Sequence, residues 1–321
     1  MIINKMSFKL IQILLMIFIL TSCGGGSGGE SPPQSESTDN NNFLNETCTN
    51  TSRLGMERCV LKHDNIERYY YLYIPNSIDF NESTPVLFAF HGYGSSAERH
   101  LNYTNYFRLA DSNNFIVIYP QGASTSTLSS HWNVGGWTSS SPINDVGFIE
   151  VIINLLQNKI QIDQSRIYSS GMSNGGYFGY HLACNLSDRF AAVASITGSM
   201  TNDTFDDCSP THPMPILQIH GLLDYIVPYE GNYGSKSISE VIEYWVNYNS
   251  CNLYPDTLIG YDDYSLITFD TYFECLNEIN VKLILHPTMG HTWPSIQSHN
   301  IDASSEIWEF VSKYDLYGLI K

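Results

Sequence analysis

The chain has 321 residues, 43% hydrophobic and 15% charged, with a formal net charge of -17. Such a length can bury a large core in a single α/β domain, and the hydrophobic share excludes a disordered chain. The acidic balance repels phosphate backbones and argues against a nucleic-acid partner, while the seven cysteines, an odd number, call for one that stands apart.

The N-terminus offers that cysteine. Lys5 and Lys9 precede the apolar run Leu10–Leu20, which is too short to span a bilayer and fits the h-region of a signal peptide. The run ends in Leu20-Thr21-Ser22-Cys23, which resembles a bacterial lipobox and implies a signal segment over 1–22 and a lipidated Cys23. A plain signal peptide with an incidental cysteine is the alternative. Residues 23–45 are rich in Gly, Ser, Pro and Asn, the composition of a flexible linker. Removing 1–22 takes away two bases and no acid, leaving 13 bases against 32 acids, or -19. Such a charge favours neutral over anionic substrates. Membrane contact is expected through the N-terminal lipid only, at a bacterial cell envelope or in secreted form.

Residues 46–321 read as one catalytic domain, expected to act as a monomer. Met56–Leu61 and Ile66–Ile74 flank His63-Asp64-Asn65 and predict an antiparallel hairpin. Short apolar runs follow at Pro85–Phe90, Phe115–Tyr119, Arg166–Ser169, Ala191–Ile196, Ile216–Ile219 and Val281–Leu285, as expected of strands buried on both faces. Helix-period stretches lie between them. Phe148, Val151, Ile152 and Leu155 share one face, Val241, Ile242, Trp245 and Tyr248 another, and Ile307, Trp308 and Val311 mark the last helix. Ser237-x-x-Glu240 is a capping-box pattern. Alternating strands and helices predict a mainly parallel sheet flanked by helices, with the hairpin at its edge. The remaining cysteines suit disulfides between sequence neighbours, Cys48–Cys59, Cys184–Cys208 and Cys251–Cys275, each closing a local loop. No C-x-x-C or His/Cys cluster suggests a metal, and no cofactor is expected.

The sharpest local signal is Gly171-Met172-Ser173-Asn174-Gly175-Gly176, between a strand and a helical segment. G-x-S-x-G in that setting is a nucleophile elbow, where glycines admit close backbone approach. A serine hydroxyl needs a base, and the base an orienting acid, which in this arrangement follow in the order Ser, acid, His. His291, in the loop after the last apolar strand, suits the base better than His286 or His299. Asp224, in His220-Gly221-Leu222-Leu223-Asp224, suits the acid, with His220 holding the turn. The oxyanion needs two fixed N–H groups: that of Asn174, after the nucleophile, and that of Tyr93 in the loop His91-Gly92-Tyr93-Gly94. Trp132, in an aromatic Gly-rich loop, and Trp293, beside His291, are candidates for lining a substrate cleft. Asp145 is expected to cap a helix.

Together these motifs, with Tyr119-Pro120-Gln121-Gly122, Trp132-Asn133 and Asp145-Val146-Gly147-Phe148, resemble the polyhydroxybutyrate depolymerase and feruloyl esterase-like family of α/β-hydrolases, akin to carbohydrate esterase family one. The resemblance implies an exported serine esterase acting on feruloyl or acetyl esters of polysaccharide, or on short polyesters. Many relatives carry Cys where this chain has Tyr93, which leaves a backbone N–H donor intact but loosens any transfer of substrate preference. Two readings stay open beside it: a serine peptidase of the prolyl-oligopeptidase type, and a non-catalytic binding lipoprotein on the same fold.

Overall fold

The computed structural model describes residues 46–261 and 266–321; the signal segment, Cys23 and the linker lie outside the described residues. Three antiparallel strands come first: β1 (Thr47–Asn50), β2 (Met56–His63) and β3 (Ile66–Tyr73). β2 and β3 form the expected hairpin, turned by Asp64 and Asn65 with positive φ. Asn and Asp tolerate that conformation best among residues with a side chain. β4 (Thr84–Phe90) is buried at all seven positions. Two short helices follow, α1 (Ala97–Thr104) and α2 (Tyr106–Asn113), then β5 (Ile116–Pro120). The chain continues as α3 (Asp145–Lys159), β6 (Ile162–Met172), α4 (Asn174–Asn185), β7 (Ala192–Ile196), α5 (Asn202–Asp206) and β8 (Ile216–Gly221). Next come α6 (Ile238–Tyr248), β9 (Asp256–Tyr261), β10 (Leu266–Tyr272), β11 (Val281–His286), α7 (Ile296–His299) and α8 (Ala303–Val311).

One eleven-stranded sheet collects these strands in the order β1-β2-β3-β5-β4-β6-β7-β8-β11-β10-β9. The six central strands, β5 to β11 in that order, are parallel; the edges are antiparallel. The wholly apolar runs are therefore the central strands, covered by helices on both faces. Alternation along β4 shows this directly. Leu87 and Ala89 pack with Leu101, Tyr106 and Ala110 of α1 and α2, while Val86, Phe88 and Phe90 pack with Phe148 and Ile152 of α3 and Phe178 of α4. Each such side chain contributes about 1.5–3 kcal/mol on burial, so truncating Phe88 would cost about 3–5 kcal/mol. The Ser237–Glu240 capping box opens α6 as its pattern predicts.

The three disulfides join the expected neighbours. Cys48 and Cys59 are directly opposed partners on β1 and β2. Cys184–Cys208 ties α4 to the segment after α5, and Cys251–Cys275 ties the segments after α6 and β10. A cluster of Glu46, Cys48 and Cys59 offers a metal no thiolate pair, because its sulfurs are joined.

Candidate active site

The parallel strands end along one edge of the sheet, and the candidate residues stand on the loops that leave it, as ligand sites do in open α/β folds. Ser173 sits between β6 and α4 with φ 55° and ψ -124°, a conformation non-glycine residues rarely adopt. The surroundings enforce it. A Cβ on Gly171 would meet Gly175 O at 2.2 Å, and one on Gly175 would meet Phe90 O at 2.1 Å. Ser173 N–H donates to Ile196 O at 2.8 Å, and Ser173 O accepts from Tyr177 N–H at 2.9 Å, so the elbow is tied on both sides.

Asp224 lies in the loop after β8 and is buried. Its Oδ1 accepts the N–H groups of Ile226 and Val227, both at 2.9 Å, and its Oδ2 faces His291 Nδ1 at 2.8 Å. Burial alone would raise the Asp224 pKa, but the bonds from His291 and Val227 outweigh it and hold the carboxyl below the ordinary carboxylate range. An ionised Asp224 accepts from Nδ1–H, which leaves Nε2 of the half-buried His291 as the basic nitrogen. The acid and histidine loops are themselves stitched together: Leu222 N–H donates to His286 O at 3.0 Å and Leu223 N–H to Met289 O at 3.1 Å. His220 holds the acid loop, as expected, with Nε2 facing Val227 O at 2.9 Å.

The loop after β4 runs against the elbow. A Cβ on Gly92 would lie 3.3 Å from Ser173 Cβ and 3.8 Å from its Oγ. No hydrogen-bond acceptor among the described residues takes the Tyr93 or Asn174 N–H. The Asn174 side chain is occupied elsewhere: Oδ1 accepts Trp132 N–H at 2.7 Å and Nδ2 donates to Trp132 O at 3.0 Å.

Trp132 requires a correction. Its side chain is wholly buried rather than lining a cleft, with the indole N–H donating to His91 O at 2.9 Å and the ring stacked on Phe178 at 4.9 Å. It braces the loop that carries His91 and Tyr93. Five residues on, Trp137 is 40% exposed and stands 5.9 Å from the Tyr93 ring and 6.0 Å from Tyr177. The sequence reading passed over Trp137, though it closes the same loop. Trp293 is half-buried, edge-on to His100 and Tyr106.

Asp145 is a second correction. Asn144 caps α3, its side chain accepting Gly147 N–H at 2.9 Å. Asp145 is buried against Arg68 at 2.7 Å and accepts Asn133 N–H at 2.8 Å. Arg68 also donates to Gln121 O at 3.1 Å, so one buried ion pair ties β3 to both segments that flank the Trp132 loop. Burial raises the Asp145 carboxyl above its ordinary value even beside Arg68. An isolated Arg in a strand gives no sign that a residue 77 positions away will neutralise it.

Comparison with known proteins agrees with this architecture. The prolyl oligopeptidase family profile matches residues 101–213. A bifunctional acetylxylan esterase/xylanase of Neocallimastix patriciarum is 28% identical over 78% of this chain and 34% of its own length. Feruloyl esterase B of Piromyces equi is 27% identical over 56% of this chain and 35% of its own length. The chain thus spans about a third of either curated relative. Among solved structures, a carbohydrate esterase family one ferulic acid esterase of Anaeromyces mucronatus superposes with a TM-score of 0.54 at 14% identity, covering 84% of this chain and 90% of that one. The fold is that of the α/β-hydrolases, and within it the chain is similar to feruloyl and acetylxylan esterases.

Proposed function

We propose that the protein is an exported serine esterase that hydrolyses carboxylic esters through Ser173, His291 and Asp224. The observation that carries this reading is that one sheet edge presents both an elbow serine at φ 55° and a histidine whose Nδ1 is 2.8 Å from a buried carboxylate. In this mechanism Ser173 Oγ attacks the ester carbonyl while His291 Nε2 takes its proton. The tetrahedral oxyanion is met by the Tyr93 and Asn174 N–H groups. The imidazolium, steadied by Asp224, returns the proton to the leaving alcohol. Water then attacks the acyl-enzyme with the same base, releasing the acid and restoring the serine. No metal or cofactor takes part.

Three disulfides support the exported setting, with anchoring through a lipidated Cys23. The substrate class we favour is a neutral feruloyl or acetyl ester of a polysaccharide, taken by a monomeric enzyme. Two features support it: the half-exposed rings of Tyr93 and Trp137, packed 5.9 Å apart on the loops that follow β4 and β5, and exposed Leu222, Tyr225 and Ile226 around Asp224. Short hydroxyalkanoate polyesters are the alternative esters. A comparison of kcat/KM for methyl ferulate, acetylated xylan and hydroxybutyrate oligomers on one preparation orders the three, each 1.4 kcal/mol of transition-state preference appearing as about tenfold.

The direct test is hydrolysis of p-nitrophenyl acetate by wild type and Ser173→Ala. Loss of at least about a thousandfold in kcat is expected, and equal rates would refute the reading. The prolyl oligopeptidase match supports a second reading, a serine peptidase on the same fold. Cleavage of a peptide anilide at a kcat/KM equal to or above that for the corresponding ester would favour it.

A further inference from the structure

Two peptide units adjoin Ser173, one along the chain and one through the close approach of Gly92, and their carbonyls are held by different means. In a trans peptide the C=O and the next N–H point in opposite directions, so fixing one aims the other. The Ser173–Asn174 unit is aimed by its helix, because Ser173 O accepts from Tyr177 N–H at 2.9 Å. The Gly92–Tyr93 unit lies in a loop, where its carbonyl accepts the single turn bond from Ser95 N–H at 3.1 Å. The same carbonyl is 2.8 Å from the Nδ1 atom of His91, the shorter of the two contacts.

The ring's tautomer follows from its other nitrogen. His91 Nε2 accepts Gly122 N–H at 2.9 Å and faces the Gln121 amide nitrogen at 3.1 Å. The Gln121 orientation is itself set, since Oε1 accepts Ala97 N–H at 2.9 Å and the Tyr69 hydroxyl at 3.2 Å. With donors on Nε2, the single proton of the neutral ring is on Nδ1 and donates to Gly92 O. Burial lowers the His91 pKa to about 4, so that arrangement persists through the neutral range. Trp132 N–H on His91 O and the Gly122 backbone packed against the His91 ring leave the imidazole no freedom to turn.

We infer that His91 is a positioning residue for ester hydrolysis: by holding Gly92 O through Nδ1–H, it aims the Tyr93 N–H at the oxyanion beside Ser173. The inference rests on the serine-esterase reading above. It places a catalytic consequence on a side chain that touches neither substrate nor reacting atoms.

Two variants separate the grip from mere loop support. His91→Gln can present a carbonyl oxygen to Gly122 N–H where Nε2 was, but has no donor at the Nδ1 position. His91→Asn can place an amide N–H at the Nδ1 position and loses the contact to Gly122. With p-nitrophenyl acetate, His91→Gln is expected to lose at least about tenfold in kcat with KM within about twofold, because the oxyanion forms only in the transition state. His91→Asn is expected to recover to within about threefold of wild type. A His91→Gln enzyme with wild-type kcat overturns the inference, as does a His91→Asn enzyme no better than His91→Gln. If neither variant folds, by near-ultraviolet circular dichroism, the ¹⁵N-histidine spectrum of wild type decides. A neutral Nδ1–H histidine whose resonance moves when phenylboronic acid adds to Ser173 supports the grip, and a resonance that stays put overturns it. Wild type no more active than Ser173→Ala refutes the esterase reading itself and the inference with it, a result distinct from an active wild type and an unimpaired His91→Gln.

Discussion

Two His-Gly pairs end parallel strands in this molecule, His91-Gly92 after β4 and His220-Gly221 at the end of β8. Both imidazoles are fully buried, burial lowers the pKa of both, and each donates to a backbone carbonyl of its own loop. They differ in reach and in what the glycine meets. His91 holds the next residue's carbonyl, whereas His220 holds Val227 O seven residues on, with Gln218 Nε2 facing its Nδ1 at 3.0 Å. Gly92 lies against the side chain of Ser173; a Cβ on Gly221 would meet Met289 O at 2.0 Å, in the loop that carries His291. The same dipeptide thus aims a single peptide at one corner and clamps two loops at the other. What lies across the strand end, rather than the dipeptide itself, decides which.

The largest expected effect bears on the second corner. Asp224→Asn should fold, yet lose about 10³–10⁴ in kcat for p-nitrophenyl butyrate, because the amide favours the wrong imidazole tautomer. A loss under tenfold would mean that the clamp serves packing alone. The glycines sharpen the contrast. Gly221→Ala forces backbone apart and should destabilise by at least about 3 kcal/mol, lowering Tm by about 6 °C or more. Gly92→Ala meets the Ser173 side chain at 3.3 Å and Met172 O at an ordinary 3.5 Å, so it should keep Tm within about 2 °C while kcat falls about tenfold. Thermal melts and initial rates on the two variants would break the comparison if both lost stability equally.

Acid offers a third probe. An unfolded histidine takes up its proton near pH 6.5, whereas the folded His91 does so at about 4. Between those values the unfolded chain binds the extra proton, so stability is full above about pH 6.5 and is lost as pH falls toward 4. His91 alone accounts for about 3 kcal/mol of that slope, which His91→Gln should remove. Parallel Tm–pH curves for the two proteins would contradict a neutral buried imidazole. The smallest effect on catalysis belongs to a control far from both corners. Replacing Cys48 and Cys59 together with Ser releases an 11-residue closure and should cost about 3 kcal/mol of stability with kcat unchanged.

The central strands were legible because burial on both faces demands uninterrupted apolar runs, and β4, β5 and β7 obey that demand. The edge hairpin β9–β10 was missed for the converse reason: all but one residue of β9 are exposed, and its Leu258-Ile259 pair has no alternation to betray a strand. α1 and α2 also escaped, since Ala97–Asn113 breaks at Asn105, whose φ of 55° serves both as the end of one helix and the start of the next. Neighbour pairing of the cysteines succeeded because each pair spans elements that pack directly. Serine, acid and base candidates could be named from loop position and order alone. The choice between Trp132 and Trp137 could not, because it turns on which indole finds the buried His91 carbonyl. Nor could Arg68 with Asp145, joined only once the sheet and α3 have closed.

In the proposed mechanism Ser173 is a nucleophile activated by His291. Intact-mass and peptide analysis after exposure of the folded protein to a fluorophosphonate tests it most directly. A single adduct on Ser173 is expected, formed far more slowly in His291→Ala. An unmodified protein, or an adduct on another residue, would contradict it.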